Sequence, residues 1–437
     1  MEEQQSNRPQ KKKLKTVIVS IVMALAIILS FVGGYFSRYI FDPYYINTTT
    51  DLMRIIYKFG YVIDPETGEQ RSLTEEDYAD ALVKGLLDQY SEYYTAEEYQ
   101  ALKAESKGRH TGVGVTMQGQ EIIKVAGNSP AFHGGLRAGD ALLAGKVEGQ
   151  TEFTEFTFDA YHNGAIDFMI DCPSDKLIFF KVKRNGEVLD QPLSLLKGAF
   201  KTSYVTYYDS EQMMHFTFDI NNIPKMNEKI GEGITDLNPD VALIRLDQFE
   251  GSAAIELSMA INYAVNEKHR TKIILDLRNN GGGYMDVLTD VASYLIYNGG
   301  QEKNLIAISK GKNDSDEFYS TKNIYNAKIE KIAVIANDNT ASASECLIGA
   351  MLIHGAISYD TLVIEKNYQN VAKTYGKGIM QTTYLLVGGG AFKLTTARVF
   401  WPDNSTCIQG VGIIAQGDNA VEKGHAAVLR AQATIES

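Results

Sequence analysis

The stretch KIILDLRNNGGGYMD, residues 272–286, runs from an apolar segment through three glycines into a helical pattern. Its apolar part is continuous instead of alternating, which is typical of a strand buried on both faces of a parallel sheet. Similar segments occur at 241–249 (VALIRLDQF) and 331–338 (KIAVIAND), and helical patterns such as SAAIELSMAINYAVNE separate them. The sequence from residue 197 onward therefore predicts an α/β (α+β) core with substantial parallel pairing.

The composition is that of a globular protein with room for two or three domains, since 44% of the 437 residues are hydrophobic and 22% are charged. The excess of 54 acidic over 42 basic residues gives a formal charge of −12, which opposes binding to nucleic acid. The three cysteines, Cys172, Cys346 and Cys407, are too far apart for a metal-ligand motif, and an odd number cannot complete a disulfide framework. We expect neither a metal nor a cofactor.

The N-terminus has the pattern of a membrane anchor. Residues 16–37 (TVIVSIVMALAIILSFVGGYFS) are 22 residues without a charge, enough for a helix to cross about 30 Å of hydrocarbon. The basic residues in 1–15 predict a cytoplasmic N-terminal tail, so the rest of the chain would be exported. Cleavage as a signal peptide is the alternative, but no A-x-A site follows the apolar run.

Residues 38–107 form a helical region by pattern, and Thr95 with Glu98 gives a capping-box signature for one helix. Residues 108–196 differ, because short β-rich runs such as EIIKVAG and KLIFFKVKRNGEVLDQPLSL alternate with glycine turns. Within them, SPAFHGGLRAGDALL (129–143) has a short helix, a glycine pair and a turn into an apolar strand. This segment resembles a PDZ domain.

A PDZ domain binds the C-terminal tail of another protein, and the resemblance implies where this would happen. The carboxylate-binding loop would be Thr111, Gly112, Val113, Gly114 and Val115, because a glycine-rich turn can aim successive N–H groups at a carboxylate. The adjacent strand would pair with the peptide by β-augmentation.

Two stretches of the last domain start helices at glycine or serine turns. The first is NNGGG (279–283), which can present N–H groups to a phosphate or an oxyanion, although a plain tight turn fits equally well. The second is NTASASECLIGAM (339–351), where Ser342 and Ser344 stand where a strand turns into a helix. Either serine could be a helix cap. A nucleophile at Ser342 would instead have the Ala343 amide beside the developing oxyanion.

A nucleophilic serine needs a base, and a lysine is the candidate. The nearest histidine, His354, is twelve positions beyond Ser342 on the expected helix and fits a surface or packing role. Lys377 stands between two glycines in KTYGKGIMQTTY (373–384). A lysine becomes a general base when burial disfavours its ammonium form, whereas a solvated lysine in a β-turn is the alternative.

The order LDLRNNGGG, TASASE, YGKGxxQ, following a PDZ-like module and a membrane segment, resembles the carboxyl-terminal processing peptidases, the tail-specific serine proteases of family S41. LDQYSEYYTAEEY (87–99) and KLTTARVFWPDNSTCIQGVGI (393–413) extend the resemblance to about residues 45–415. It implies that Ser342 is the nucleophile, that Lys377 is the general base and that Gln381 supports the lysine. The amides of Ala343 and Gly282 would form the oxyanion hole. It also implies that Ser344 is structural, that Glu345 is a capping or supporting carboxylate, and that Cys346 is a buried packing residue.

The resemblance further implies a bacterial, membrane-anchored, extracytoplasmic endopeptidase that cuts unstructured proteins at or near apolar C-termini. The domains would be a basic tail (1–15), a transmembrane helix (16–37), a helical region (38–107), a PDZ domain (108–196) and the protease core (197–437). The PDZ domain would recognise the tail or gate the site, with Arg137 as a contact to the core; a solvated charge is the alternative for Arg137. Self-association is left open.

The sequence departs from the family pattern at two places. Gly281 stands where the family usually has proline. The chain also has 35 positions from Ser342 to Lys377, about ten more than usual, and SYDTLVIEKNYQNVAKT (358–374) is expected to hold the excess in place of a short strand. If this segment displaced Lys377, the chain would be a non-enzymatic PDZ scaffold that binds C-terminal tails without cutting them.

Overall fold

The computed structural model describes residues 23, 30, 44–59, 62–63, 70–159, 162–219, 223–226, 231–297, 299, 302–321 and 324–436. The chain divides into two compact units, residues 1–89 and 90–437. The predicted membrane span at 16–37 lies outside the described residues except for two isolated positions. Among the helices of the described ranges, none combines the length and apolar character needed to cross a bilayer.

The first unit contains helices α1 (Tyr44–Phe59) and α2 (Glu75–Leu86), with a short antiparallel pair between them, β1 (Val62–Ile63) and β2 (Gln70–Arg71). Helix α2 begins at Thr74, whose side chain accepts from the Asp77 N–H while the Asp77 carboxylate accepts from the Thr74 N–H. This reciprocal pairing satisfies two N–H groups that a helix start would otherwise leave exposed.

The second unit opens with strand β3 (Glu92–Tyr94) and helix α3 (Ala96–Glu105). The predicted capping box of α3 is confirmed. The Thr95 hydroxyl accepts from the Glu98 N–H at 3.3 Å, and the Glu98 carboxylate accepts from the Thr95 N–H at 2.8 Å.

The next segment is β-rich. Its elements are β4 (Arg109–Gly112), β5 (Val115–Gln118), β6 (Glu121–Val125), α4 (Pro130–His133), β7 (Ala141–Val147), β8 (Thr154–Glu155), α5 (Gly164–Asp171), β9 (Leu177–Arg184), β10 (Glu187–Val188), β11 (Leu193–Leu196) and β12 (Gly198–Lys201). Strands β10, β9, β7, β6 and β5 follow one another in an antiparallel sheet. Strand β4 pairs with β12, so the two ends of the segment lie side by side. We call residues 108–201 the module.

The core then begins with β13 (Val205–Tyr208), β14 (Gln212–Phe218), β15 (Pro224–Met226), β16 (Gly231–Glu232), β17 (Val241–Leu246) and α6 (Ala253–Asn262), which a π-helical turn extends to Glu267. It continues with β18 (Lys272–Asp276), α7 (Met285–Leu295), β19 (Leu305–Gly311), β20 (Ser315–Tyr319), β21 (Lys331–Ala336) and α8 (Ala343–Ile353). It ends with β22 (Leu362–Glu365), β23 (Ile379–Leu385), β24 (Ala391–Phe400), β25 (Ala420–Val421) and α9 (His425–Glu436).

The main sheet of the core has the order β15-β14-β13-β17-β18-β21-β22-β25. The predicted parallel pairing is confirmed from β17 through β25, and β13 to β15 add an antiparallel edge. The continuous apolar strands are buried on both faces, as the sequence predicts. In β18, Ile273 and Leu275 face the cluster of α6, α7 and α8, whereas Ile274 faces the cluster of α9. The fold is thus a mixed α/β fold.

A smaller antiparallel sheet has the order β20-β19-β24-β23, and β3 adds to the free part of β24. Strand β24 thus lies between the segment around residue 92 and β23, the strand that follows Lys377. In the main sheet, parallel β18 and β21 are neighbours and end at the same edge. The turns that follow them, 277–284 and 337–342, therefore lie together.

Candidate active site

Ser342 stands at the start of α8 in a strained backbone conformation, with φ of 58° and ψ of −116°. A non-glycine residue in such a region costs on the order of 1–3 kcal/mol and is found mostly at functional sites. Its side chain is half-buried, whereas Ala343 and Ser344 are buried. The helix behind it is buried from Ala343 to Met351, so Ser342 is fixed by a rigid element.

Ser344 serves the packing of two turns. Its hydroxyl donates to the Asn280 carbonyl at 3.0 Å, and the Ala341 N–H donates to the same oxygen at 3.0 Å. The side chain is 0% exposed. Ser344 therefore ties the helix start to the glycine turn and is out of reach of a substrate.

The glycine turn passes directly against Ser342. A Cβ placed on Gly282 would lie 2.8 Å from the Ser342 Cβ and 2.9 Å from the Ala343 nitrogen, and the φ of Gly282 is +102°. Only glycine fits this approach. The Gly282 N–H donates to the Asn280 Oδ1 at 2.9 Å, and the Asn280 Nδ2 donates to the Leu246 carbonyl at 2.8 Å. In this structure the Gly282 amide is thus already engaged, while its neighbour Ala343 begins the helix, where N–H groups lack intrahelical acceptors.

Glu345 joins the serine segment to the lysine segment. Its Oε2 accepts from the N–H of Ser342 and from the N–H of Lys377, each at 2.9 Å. Because both nitrogens bond to one oxygen, they lie within about 6 Å of each other. Oε1 accepts from the Gly376 N–H at 2.8 Å and from the Thr374 hydroxyl at 2.5 Å. Burial raises the pKa of Glu345, against the opposing effect of these four donors.

The Lys377 side chain extends over an aromatic ring. Its Nζ lies 4.9 Å from the centroid of the Tyr90 ring, and the Tyr90 hydroxyl is 3.2 Å from the hydroxyl of Tyr375. Gly376 and Gly378 on either side pack closely against the 408–412 segment, since a Cβ on them would lie 2.8 Å from the Gly412 nitrogen and 2.7 Å from the Gln409 nitrogen, respectively. The flanking glycines let the lysine loop pack tightly against this segment.

Gln381 lies two residues into β23, and its Nε2 donates to the Thr395 hydroxyl at 3.0 Å. The Thr395 N–H donates to the Ser91 hydroxyl at 3.1 Å. Gln381 is therefore linked through β24 to the 90–91 segment, which also carries the ring under Lys377. Sequence reasoning did not select Tyr90 or Ser91 as site residues, although it used LDQYSEYYTAEEY for the family resemblance.

The long path from Ser342 to Lys377 does not separate their backbones. The expectation that 358–374 lacks a short strand is wrong, because β22 pairs in parallel with β21. The apolar run LVIE explains this, since all four residues are buried. After β22 the chain forms a turn in which Asn367 and Val371 are bonded, and Tyr368 is 87% exposed at its tip. The turn extends into solvent, and the chain returns to the site at Thr374, whose hydroxyl donates to Glu345.

Two other sequence expectations concern side chains near the serine. Cys346 is 4% exposed, and burial raises the pKa of its thiol to about 12, which keeps it protonated and fits a packing role. His354 ends α8, and its Nε2 lies 2.7 Å from the Leu305 carbonyl. Within the part of the chain that the structure describes, no three His, Cys, Asp or Glu side chains converge as metal ligands would.

A buried network of charged side chains lies at the start of the glycine turn. Arg278 donates to both oxygens of Asp276, at 2.9 and 2.6 Å, and to Glu365 at 2.7 Å. Burial acts to raise the pKa of Asp276, but the charge and hydrogen bonds of Arg278 outweigh it and hold this pKa below its ordinary value. Both carboxylates are nearly inaccessible, at 1% and 4% exposure.

We expect Arg278→Met to lower the free energy of unfolding by about 3–5 kcal/mol at neutral pH, because two buried carboxylates lose their partner. The stability that ionised Asp276 gains from Arg278 is present above its unfolded pKa of 3.8 and is lost as pH falls through the lower folded pKa. The difference between parent and variant should therefore shrink below about pH 4. Urea titrations at the two pH values measure it, with the exposed Arg137→Met as control. A cost under about 1 kcal/mol at neutral pH would contradict the network.

The module has a groove of about 560 Å³ where the sequence predicts a carboxylate-binding loop. All five predicted residues line it, Thr111, Gly112, Val113, Gly114 and Val115, and Ile166 and Ile170 of α5 form an apolar wall. Strand β5 pairs with β6 and with no other strand of the described residues, so its outer edge is open to an added strand.

The groove also reaches the core. Gln248 and Glu250 line it together with Lys124 of β6. The Lys124 Nζ donates to the Asp247 carbonyl at 2.9 Å, and the Asn279 side chain donates to the Ile123 carbonyl at 3.3 Å. Burial lowers the pKa of Lys124. The module therefore contacts the glycine turn at Asn279 and the core segment at Asp247.

Arg137, the predicted contact between module and core, is exposed. Its N–H donates to the Asp140 carboxylate at 2.8 Å, and the guanidinium that pairs with Asp140 is that of Arg184. Among the residues that the structure describes, the Arg137 side chain forms no hydrogen bond or ion pair. The contact between Arg137 and the core stays a prediction.

Three features lie together here: a strained serine at a helix start, a glycine turn against it, and a lysine loop whose backbone bonds to the same Glu345 carboxylate as the serine. Residues 240–416 match the family described as Peptidase family S41. Residues 240–416 are therefore similar to the S41 peptidases, which confirms the predicted resemblance at the level of this family.

Several known proteins are similar to the chain. A Staphylococcus epidermidis protein named "Probable CtpA-like serine protease" is 29% identical over 344 residues, and a Staphylococcus aureus protein of the same name is 27% identical over 344 residues. Each alignment covers 76% of this chain and 58% of the relative, so the chain spans somewhat more than half of their length. The solved photosystem II D1 C-terminal processing protease is 18% identical with a TM-score of 0.48, over 88% of this chain and 90% of that one.

Proposed function

We propose that the chain is a serine endopeptidase with Ser342 as nucleophile and Lys377 as general base. The observation that supports this best is the Glu345 carboxylate, one oxygen of which accepts from the N–H groups of both residues. A carboxylate in that position fixes two loops that are far apart in sequence, as a shared proton transfer requires. The S41 domain match over 240–416 supports the same chemistry.

In the proposed mechanism, neutral Lys377 takes the Ser342 hydroxyl proton as Oγ attacks the carbonyl carbon of a peptide bond. The oxyanion would be stabilised by the Ala343 amide and by the Gly282 amide once the latter exchanges its bond with Asn280. The carbon–nitrogen bond then breaks, and Lys377 returns the proton to the departing amine. Water attacks the acyl-enzyme while Lys377 accepts its proton, which releases the carboxylate and restores the serine. Gln381 would support the lysine.

We also propose that residues 108–196 act as a PDZ domain that receives an unstructured, apolar C-terminal tail. The apolar wall of Ile166 and Ile170 and the open edge of β5 support this proposal. A tail added to β5 would gain main-chain hydrogen bonds, and alternate side chains would face the apolar wall. The N-terminal segment 16–37 would anchor the enzyme in a bacterial membrane with residues 38–107 and the core (197–437) outside the cytoplasm.

One observation favours the second candidate, a tail-binding scaffold without activity. The Gly282 amide, an expected oxyanion donor, is engaged with Asn280 Oδ1. The two functions are separated by incubating the full chain with an unstructured protein that ends in apolar residues and by identifying the fragments by mass spectrometry. A fluorophosphonate should label Ser342 of a peptidase. Tail binding with neither fragments nor a label would establish the scaffold.

The mechanism requires a neutral lysine, so activity should increase with pH. We expect kcat/KM on a short peptide to rise about tenfold per pH unit below the midpoint and then to level off. The measurement covers about pH 6 to about pH 9.5 at constant ionic strength, with the unfolding midpoint followed in parallel. A rate that is flat or falls over this range would argue against a lysine base.

A further inference from the structure

The ring of Tyr90 is the part of the site that the sequence did not reveal. It lies under the Lys377 amine at 4.9 Å from ring centroid to Nζ, which is cation–π distance. Tyr90 precedes Lys377 by 287 residues in the sequence. Only the tertiary fold brings the two side chains together.

Independent contacts fix both members of this pair. The neighbour of Tyr90, Ser91, accepts from the Thr395 N–H, and β3 then pairs with β24 from Glu92 onward. The hydroxyl of Tyr90 is bonded to Tyr375 at 3.2 Å. The backbone of Lys377 is bonded to Glu345 at 2.9 Å. Both members of the pair are therefore held by contacts other than the ring contact.

The ring has a chemical consequence that depends on the charge of the lysine. The negative face of an aromatic ring attracts an ammonium group and has no comparable attraction for a neutral amine. Other groups around the lysine loop are the Glu345 carboxylate, the hydroxyls of Tyr90 and Tyr375, and the Cys407 thiol, whose Sγ donates to the Gly378 carbonyl. Tyr90 is the member of this set that faces the amine with a ring.

We propose that Tyr90 is a positioning residue that seats the Lys377 ammonium in the resting enzyme and thereby sets the pH at which the base becomes available. This inference rests on the proposed function of Lys377. The contact with the Tyr90 ring keeps the Lys377 amine oriented but protonated, so Lys377 must leave the ring as it loses its proton. The ring thus opposes activity at low pH.

Two substitutions distinguish the effect of the Tyr90 ring from that of its hydroxyl. Tyr90→Leu removes the ring and should shift the midpoint of the kcat/KM profile down by about half a pH unit, because a partly exposed cation–π contact has about that effect on a proton equilibrium. Tyr90→Phe keeps the ring, loses the bond to Tyr375, and should leave the midpoint within about 0.2 pH unit of the parent. Tyr90→Met provides a second ring-free variant in case the leucine variant is unstable.

The chain offers a matched control. Tyr99 on α3 also carries a lysine over its ring, with the Lys103 Nζ at 5.6 Å. Tyr99→Leu removes a similar contact away from Lys377 and should leave the midpoint unchanged. A purely structural effect of losing a tyrosine would change the unfolding midpoint in both variants without moving the pH profile.

A second readout does not need activity. In a Ser342→Ala background, the rate at which an amine-reactive ester acylates Lys377 reports its neutral fraction, and mass spectrometry quantifies it as a function of pH. The same downward shift should appear on adding Tyr90→Leu. An unchanged midpoint in both ring-free variants, or an equal shift in Tyr90→Phe, would overturn the proposal. Failure of the proposed function would give a different result, because Ser342→Ala would then cleave as the parent does. The acylation profile would still show whether the Tyr90 ring stabilises the Lys377 ammonium.

Discussion

Ser342→Ala and Lys377→Ala should each lower kcat/KM by about 10⁴-fold or more, and the double variant should be no worse than either single one. Residues that act as one unit in proton transfer lose their joint effect when either is removed, so their effects do not add. The measurement is single-turnover cleavage of a short peptide at a pH where the parent is fully active. Additive losses would show that the two residues act in separate steps.

Ser344→Ala is the matched control for the nucleophile, because it removes the same hydroxyl two positions away. Its loss leaves the Asn280 carbonyl with the Ala341 N–H as a donor and should cost about 1 kcal/mol of stability. We expect kcat/KM to fall less than about tenfold, since this hydroxyl is buried. A loss as large as that of Ser342→Ala would assign the wrong serine.

Glu345→Gln should reduce kcat/KM by about 10²-fold or more and lower the free energy of unfolding by about 2–4 kcal/mol. The carboxylate accepts four hydrogen bonds, from Ser342, Lys377, Gly376 and Thr374. An amide of the same shape replaces one acceptor oxygen by a donor, which then faces N–H or O–H donors. Since one side of the carboxylate holds the serine and lysine together, their alignment should be lost with it.

Glu256 is a matched control for this prediction. It is equally buried and also accepts four hydrogen bonds, from Ser203, Tyr204, Val205 and Ser252. Glu256→Gln should therefore destabilise the fold to a similar extent while reducing kcat/KM less than about fivefold at temperatures where it is folded. If both variants lose activity in parallel with stability, Glu345 has no role beyond folding.

The parallel core was predictable from local sequence. The apolar runs KIILDL and KIAVIA predict adjacent buried strands, and a parallel pair places the turns that follow them at one edge. Glu345 was expected to be a capping or supporting residue, and its bond to the Ser342 N–H agrees with this. Its bonds to Gly376 and Lys377 have no local signal, because they join segments about thirty residues apart.

The remaining features depend on tertiary contacts that sequence patterns do not encode. Tyr90 and Ser91 reach the lysine loop only because β3 adds to β24. The Gly282 amide was expected to be an oxyanion donor, and the structure shows it bonded to the Asn280 side chain, which in turn bonds to the Leu246 carbonyl. Arg137 was expected to contact the core, but the structure leaves its side chain exposed on the module, and only its N–H donates to Asp140.

The positive φ of Ser342 has a consequence for how such a chain changes over evolutionary time. A conformation that costs stability persists only where selection for another property outweighs the cost. A lineage that had abandoned peptide cleavage would be free to accumulate substitutions around residue 342 that relax the backbone and return that stability. Under the function proposed above, the strained serine reflects selection for cleavage, and comparing this backbone angle across related chains would sort working peptidases from those that have become binding proteins.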